Sequence, residues 1–249
     1  MIKISIITPV LNGEKFIEKT IKSVINQSYE NLEYIIVDGF STDNTMKIIN
    51  KYKDKITHII QKKDRSMYEA LETGFDIATG DYYYWLNSDD ELFDNNSIER
   101  LMNLLKKKKY DWVTGVCSII HKDNERPTSY IPLVYPKTII ANGLANNCYW
   151  GFIQQENTVF SKKIYKEVGK INKNFKMAGD FDLWRRMAKK NKLYSINVKI
   201  GSHRISDNQL TDLDYYYNEI EQKKCVFNPF YLLRFMFSIL SFPIIYFRK

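Results

Sequence analysis

Tyr82-Tyr83-Tyr84-Trp85-Leu86-Asn87-Ser88-Asp89-Asp90 is the stretch on which the fold turns. Its first five residues are aromatic or apolar without a break, and they read as a buried strand. The run then ends abruptly in adjacent carboxylates. Two anions at the end of a buried strand repel each other and lose hydration, so a cation is expected beside Asp89 and Asp90, most simply a hard divalent metal. Asn-Ser-Asp-Asp is also good turn and helix-capping chemistry, and the stretch alone leaves both readings open.

Working outward, the first hundred residues alternate strand and helix signals, the mark of βαβ units and a parallel sheet. Strands are expected at Ile4 to Thr8, Tyr34 to Asp38, Ile56 to Ile60 and Tyr82 to Leu86. Between them, helical spacing links Ile17, Ile21, Val24 and Ile25, then Met46, Ile49 and Tyr52, then Ala70, Leu71, Gly74, Phe75 and Ala78. A fourth helix after Asp94 carries Ile98, Leu101, Met102 and Leu105. In such sheets ligands sit beyond the carboxyl ends of the strands. Thr8-Pro9, Asp38-Gly39 and Asn87-Ser88-Asp89 all fall there, far apart in sequence yet expected in one crevice. The second half is less regular. Asp111 to Ile120 and Leu193 to Ile200 read as strands, Gln154 to Gly169 and Asp180 to Asn191 as helices. Neither a Gly-x-Gly-x-x-Gly after the first strand nor a Gly-x-x-x-x-Gly-Lys-[Ser/Thr] occurs, which argues against a dinucleotide fold or a phosphate-loop hydrolase.

The chain has 249 residues and a net charge of +8, enough length for one large domain and enough charge to suggest anionic partners. Three widely spaced cysteines argue against a disulfide framework, and His58, His121 and His203 share no zinc spacing with them. The N-terminus reads directly into a strand without a signal-peptide layout, so a cytosolic chain is expected. Lys106 to Lys109 close a helix, where cations favour the dipole, and the tyrosines interleave with core patterns instead of forming a stacking platform, so nucleic-acid binding is not expected. From Phe230 to Phe247 the tail turns strongly apolar, interrupted by Arg234 and Pro243 and flanked by Lys223, Lys224, Arg248 and Lys249. A helix lying in the cytosolic membrane interface fits this better than a clean span, with peripheral contact through residues 226–249. The alternative is a helix packed on the domain or in a homo-oligomer interface.

Several motifs taken together resemble the family 2 glycosyltransferases. They are Ile6-Ile7-Thr8-Pro9-Val10-Leu11-Asn12-Gly13, Val37-Asp38-Gly39-Phe40-Ser41-Thr42-Asp43-Asn44-Thr45 and Asp64-Arg65-Ser66-Met67-Tyr68-Glu69-Ala70-Leu71, followed by Ala78-Thr79-Gly80-Asp81, Leu86 to Asp90 and Ala178-Gly179-Asp180-Phe181-Asp182-Leu183-Trp184. The resemblance implies a GT-A fold, α/β with a Rossmann-like, mostly parallel central sheet flanked by helices and followed here by a hydrophobic or amphipathic helical tail. It divides the chain into a domain at 1–215, with a nucleotide-sugar half at 1–110 and an acceptor half at 111–215, and a tail helix at 216–249. It further implies inverting transfer from a nucleotide sugar, expected to be UDP-linked, to a glycan or lipid-linked acceptor in bacterial cell-surface polysaccharide synthesis.

Residue by residue, the resemblance puts Thr8, Pro9 and Asn12 in the nucleotide pocket, Asp38 on the base or ribose and Asp64 on the nucleotide sugar. Asn87, Ser88 and Asp89 stand at the family's Asp-x-Asp motif, with Asp89 and Asp90 as metal residues for Mg²⁺ or Mn²⁺. Asn87 departs from that motif by one negative charge. Asp180 matches the catalytic base, with Asp182 as its neighbouring alternative, and His203 and Arg204 fall where basic groups approach the diphosphate. Arg185 and Arg186 read first as solvated helix positions, and Gln154, Gln155 and Glu156 resemble an acceptor-side segment. Such chemistry needs a cation where negative charge grows on the leaving phosphates and a carboxylate to take the acceptor's proton. A nucleotidyltransferase would need a Gly-rich basic loop after the first strand, which Thr8 to Glu14 lacks; a membrane-attached scaffold that lost catalysis is the non-enzymatic alternative that Asn87 raises.

Overall fold

The computed structural model describes residues 1–116, 118–121, 128–129, 133–145, 152–205 and 213–222. The chain runs β1 (Ile4–Val10), α1 (Ile17–Ile25), β2 (Leu32–Asp38), α2 (Thr45–Asn50), β3 (His58–Gln61), α3 (Met67–Ile77), β4 (Tyr82–Trp85), β5 (Glu91–Leu92) and α4 (Ser97–Lys108). It continues with β6 (Trp112–Val116), β7 (Ser118–Ile120), β8 (Thr128–Ser129), α5 (Lys137–Ala141), β9 (Thr158–Ser161), α6 (Lys162–Val168), α7 (Gly179–Lys190), β10 (Tyr194–Lys199), β11 (Gly201–Arg204) and α8 (Leu213–Gln222).

Seven strands form the central sheet in the order β10-β6-β9-β4-β1-β2-β3, and β5-β11-β7-β8 make a smaller sheet. β1 pairs in parallel with β2 from Ile4↔Leu32 to Val10↔Asp38 and with β4 from Ile4↔Tyr82 to Ile7↔Trp85. This register brings the ends of β1, β2 and β4 to one edge. Only β9 in the central sheet runs against its neighbours, antiparallel to both β4 and β6.

β9 corrects the helix expected from Gln154 to Gly169. A 3₁₀ turn at Gln155–Asn157 leads into the strand, and helix begins only at Lys162, where Ser161 caps the backbone of Ile164. Thr158-Val159-Phe160-Ser161 is buried at every position, so the sheet on both sides outweighs any local preference. Because β9 runs backwards, its start lies at the edge where β4 ends, and Gln155 and Glu156 arrive beside Asn87 to Asp90. The expected strand from Asp111 to Ile120 is divided into β6 and β7.

Apolar residues fill both faces of the central sheet. On one face Ile7, Ile35, Leu71, Phe75, Trp85, Trp112, Phe160 and Trp184 pack together; on the other, Ile4, Ile6, Ile21, Ile36, Leu101 and Val113 do. Each fully buried side chain of this size contributes about 2 kcal/mol of transfer free energy. α8 runs through the expected junction at residue 215, and its Tyr216, Glu219 and Ile220 are buried with the domain. Among the described residues no helix is long and apolar enough to cross a membrane. The tail from 223 to 249, with the membrane contact expected of it, lies outside the described residues.

Candidate active site

The loops after β1 and β2 are tied together at the carboxyl edge. Asn12, held at φ 52°, donates its backbone N–H to Ser41 Oγ at 2.8 Å, and its Oδ1 accepts from the backbone N–H of Thr42 at 2.8 Å. Asp38 is fully buried at the end of β2, and its Oδ2 accepts from the backbone N–H of Ser41 and from Gln61 Nε2, both at 3.1 Å. Thr8 and Pro9 are buried in β1, and Thr8 Oγ1 accepts from the Tyr34 hydroxyl at 3.4 Å. Asp64, between β3 and α3, has both carboxylate oxygens buried without a hydrogen-bond partner among the described residues, and that burial raises its pKa. It borders a cleft lined also by Lys62, Lys63, Arg65, Glu69 and Lys173.

The acidic stretch after β4 is a turn, closed by a hydrogen bond from Asp90 N to Asn87 O at 3.2 Å. The Thr20 hydroxyl of α1 lies 2.8 Å from the Ser88 carbonyl and 2.7 Å from that of Asp90. Asp90 is fully buried. Its Oδ1 accepts from the backbone N–H of Arg204 at 3.0 Å and lies 3.3 Å from His203 Nδ1. The turn reading of this stretch is what the backbone shows, and the turn aims the Asp90 carboxylate at β11.

Asp90, Glu156 and His203 converge, with one ligand atom from each within 4.8 Å of the others. Glu156 comes from the 3₁₀ turn before β9 and His203 from β11. Gly201 makes the approach feasible, since a Cβ there would stand 2.2 Å from the Glu156 carbonyl oxygen and 2.4 Å from the Tyr84 hydroxyl. Burial pushes the Glu156 carboxyl up to about 7, and burial followed by the charge of Asp90 pushes Asp89 up to about 6. Burial works against a charged His203, but the Asp90 hydrogen bond and the charges of Asp90, Glu156 and Asp89 outweigh it and raise the imidazole to about 9. Glu156 Oε1 is buried with no hydrogen-bond partner among the described residues.

This donor set would suit a divalent cation once His203 gives up its proton: two carboxylates and a neutral imidazole are ligands that Mn²⁺ takes, and a Glu156 oxygen without a partner among the described residues is free to serve. The set differs from the expected pair Asp89 and Asp90. Asp90 belongs to it, but its partners are Glu156 and His203, while Asp89 lies alongside, half-buried, with its carbonyl accepting from Arg204 Nε at 3.1 Å. Asn87 faces inward. Its Oδ1 accepts from Trp85 Nε1 at 2.7 Å, and its Nδ2 donates to Asp90 Oδ2 at 3.3 Å and to Gln155 Oε1 at 3.0 Å. Ser88 is half-buried in the same turn. Arg204 is used internally, paired with Glu91 and stacked 5.0 Å over the Phe16 ring, so it braces the acidic turn.

Asp180 lies in the first turn of α7, only 6% exposed. Burial drives its carboxyl up to about 7, against the N–H groups of Phe181 and Asp180 itself and the Tyr216 hydroxyl, which stabilise the anion. Its negative charge is among those that disfavour ionised Glu156. Gly179 permits the close pass of α3: a Cβ there would meet the Tyr68 ring at 2.6 Å, and its N–H donates to the Tyr68 hydroxyl at 2.8 Å. Asp182 pairs with Arg186 at 2.8 Å, and Arg186 also donates to the Val168 carbonyl at 2.8 Å, so both close α7 onto α6. Arg185 is half-buried, its guanidinium 5.9 Å from the Phe181 ring, and its Nε is buried with no hydrogen-bond partner among the described residues.

Glu156 and Gln155 are the site residues whose roles the sequence least revealed, because their segment reads as helix. The useful signal was a polar cluster, Gln154-Gln155-Glu156, set directly before a short β-branched and aromatic run.

The Glycosyl transferase family 2 model matches residues 5–169, well over half of the chain. An uncharacterized glycosyltransferase of Rickettsia typhi is 27% identical over 230 residues, covering 91% of this chain and 71% of that protein. One from Rickettsia felis is 30% identical over 193 residues, covering 73% of this chain but only 30% of its own length. Among solved structures, residues 1–349 of Staphylococcus aureus TarS in complex with UDP-GlcNAc align with a TM-score of 0.69 at 16% identity, covering 88% of this chain and 64% of that one. A Pyrobaculum calidifontis mannosyltransferase in complex with GDP-Man and Mn²⁺ aligns at 0.63 and 16%, covering 83% and 58%. The sheet order, the acidic edge and the family match over residues 5–169 lead to one conclusion: the chain belongs to the family 2 glycosyltransferases and has their GT-A fold.

Proposed function

We propose that this glycosyltransferase is metal-dependent and inverting, and that it moves a hexosyl or N-acetylhexosaminyl group from a UDP-sugar to a glycan or lipid-linked saccharide. The observation that carries the reading is the meeting of two kinds of buried acid at one sheet edge: Asp90 and Glu156 with His203, and Asp180 at the start of α7. The UDP-linked donor is supported by the TarS likeness, since that protein is seen with UDP-GlcNAc. The lipid-linked side of the acceptor, and a place at the cytosolic membrane face, rest on the apolar run from Phe230 to Phe247 and the charge of +8.

Asp180 receives the proton of the acceptor hydroxyl as its oxygen attacks the anomeric carbon. The new carbon–oxygen bond forms as the bond to the nucleoside diphosphate breaks from the opposite face, which inverts that centre. A carboxyl raised to about 7 suits the task, because it holds a proton well and is still largely ionised above neutrality. Asp90, Glu156 and His203 would hold Mg²⁺ or Mn²⁺, and the cation would supply positive charge for the departing diphosphate. Asp38 and Asn12 fix the two loops that frame the nucleotide side, and Asp64 offers unpaired carboxylate oxygens to sugar hydroxyls.

The test is a screen of nucleotide sugars for nucleoside diphosphate release with and without EDTA. Donor-dependent release that EDTA abolishes, and that Asp180→Asn and Asp90→Asn each remove while the fold persists, is the expected result. Undiminished release in either folded variant would sink the role given to that residue.

A further inference from the structure

Two features of α8 converge on the acid at the start of α7. First, Glu219 accepts three successive backbone N–H groups, from Lys176 at 2.7 Å, Met177 at 2.9 Å and Ala178 at 2.9 Å. These belong to the segment that leads into Gly179 and Asp180, whose other side is held by the Tyr68 hydroxyl on Gly179 N. Second, Tyr216, one helical turn before Glu219 and on the same face, donates its hydroxyl to Asp180 Oδ1 at 3.4 Å. Tyr216 is 4% exposed and Glu219 6%. A buried carboxylate that gathers three main-chain donors fixes backbone position closely, because each charge-assisted bond is short and directional. Helix α8 lies beyond residue 169, where the family match ends.

We infer that α8 is a positioning element for the reaction: Glu219 fixes the main chain that carries Asp180, and Tyr216 orients its carboxylate. The inference rests on Asp180 being the base. The two residues act on that base with opposite sign. The Tyr216 hydroxyl stabilises the anion, whereas the negative charge of Glu219 opposes it. The other groups that face Asp180 are Tyr68 from α3, Glu156 from the turn before β9, and the backbone N–H of Phe181. All of these remain in both variants described next, so a change in the acidic limb of activity reports on α8.

The experiment compares Tyr216→Phe, Glu219→Gln and Asp180→Asn by donor KM, kcat, the pH profile of kcat/KM and melting temperature. Tyr216→Phe removes one oxygen and keeps the ring. It should lower kcat/KM at pH 7 about tenfold through kcat, with donor KM within about twofold, and move the acidic limb to higher pH by about half a unit. Glu219→Gln should lower kcat and move the same limb to lower pH, a reversal that loss of packing alone would not produce. Unchanged kcat and an unmoved limb in Tyr216→Phe, with Asp180→Asn inactive, would overturn the inference and leave the base intact. Full activity in Asp180→Asn would overturn the base and the inference together. Should Glu219→Gln fail to fold, Tyr216→Phe decides alone.

Discussion

The two edges of the central sheet carry buried carboxylates of opposite character. At the amino edge, Glu33 of β2 is 2% exposed. Its oxygens accept from the Ser5 hydroxyl, the backbone N–H of Thr79 at 2.8 Å, the Thr79 hydroxyl at 2.7 Å and Lys3 Nζ at 3.3 Å. Burial works to raise its pKa, but these donors outweigh it and hold the carboxyl down at about 2. At the carboxyl edge, Glu156 and Asp180 are 5% and 6% exposed and rise to about 7. Glu33 lies less deep than the other two and also gathers more side-chain donors, and both differences hold its carboxyl down. Among the described residues Glu156 Oε1 has no hydrogen-bond partner, and the Tyr216 hydroxyl stands 3.4 Å from Asp180 Oδ1. One edge satisfies its acid from within the fold; the other keeps capacity for a proton and a cation, which is where catalytic groups are expected.

The largest effect should come from breaking this contrast at Asp180. Asp180→Asn is expected to lower kcat by about 10³-fold, within the usual range for a general base. Its stability should move the other way. Below about pH 4 the acid is protonated both folded and unfolded; between pH 4 and 7 only the folded form keeps its proton, so stability falls through that window and the full penalty stands above 7. The amide escapes it, and the variant should be more stable than the parent by about 2 kcal/mol or more at pH 8 but not at pH 4. Initial rates and urea unfolding at both pH values test this pair. An inactive variant that is also less stable at pH 8 would mean that Asp180 chiefly supports the fold.

Glu33→Gln should do the reverse. A carboxyl held near 2 contributes about 3 kcal/mol, present above pH 4.5 and lost as pH falls toward 2. The variant should lose about that much in urea unfolding at pH 7, and its deficit relative to the parent should close as pH falls from 4.5 toward 2. Among molecules that remain folded, kcat should stay within about twofold, since Glu33 stands at the far edge of the sheet. A loss of activity out of proportion to unfolding would break the division of labour.

The next effect belongs to Asp90, Glu156 and His203. At a hundred times its dissociation constant, Mn²⁺ should stabilise the protein by about 2.7 kcal/mol. Glu156→Gln and Asp90→Asn should each erase most of that, whereas Glu33→Gln should leave it whole. Thermal unfolding with and without Mn²⁺ reads the difference, and equal stabilisation in all three would move the cation elsewhere.

How far the sequence revealed this contrast differs along the chain. β1, β2 and β4 are continuous buried runs with polar stops, and periodicity picks them out together with the edge where Asp38 and Asp89 fall. The place of Asp180 in the first turn of an amphipathic helix is legible in the same way, whereas its reading as the base comes from the family resemblance alone. Glu156 was harder, because Thr158 to Ser161 is too short to tell strand from helix by spacing and a true helix follows at once. Its value depends on β9 running antiparallel between β4 and β6, a long-range choice that no local window contains. Glu33 is invisible in the same way, since its four donors come from Lys3 just before β1, from Ser5 within it and from Thr79 in the turn before β4. Likewise Tyr216 and Glu219 look like surface residues until α8 is seen against the start of α7.

Asn87 gives the smallest effect and the finest test of the comparison. The family motif has an aspartate there, and the loss of that charge looks at first like a weakened cation site. The geometry argues otherwise. Asn87 Nδ2 gives Asp90 Oδ2 a donor at 3.3 Å and Gln155 Oε1 another at 3.0 Å, while Oδ1 takes the Trp85 N–H at 2.7 Å. An aspartate would keep the Trp85 bond, lose both donations and set a third anion beside Asp89 and Asp90. Without divalent cation, Asn87→Asp should therefore destabilise by about 1–2 kcal/mol in thermal unfolding. With saturating Mn²⁺ the deficit should shrink, because the cation offsets the added charge. A variant as stable as the parent without cation would show that the donors at this edge matter less than those around Glu33. A deficit that Mn²⁺ leaves unchanged would assign the whole loss to the two missing hydrogen bonds and none to repulsion.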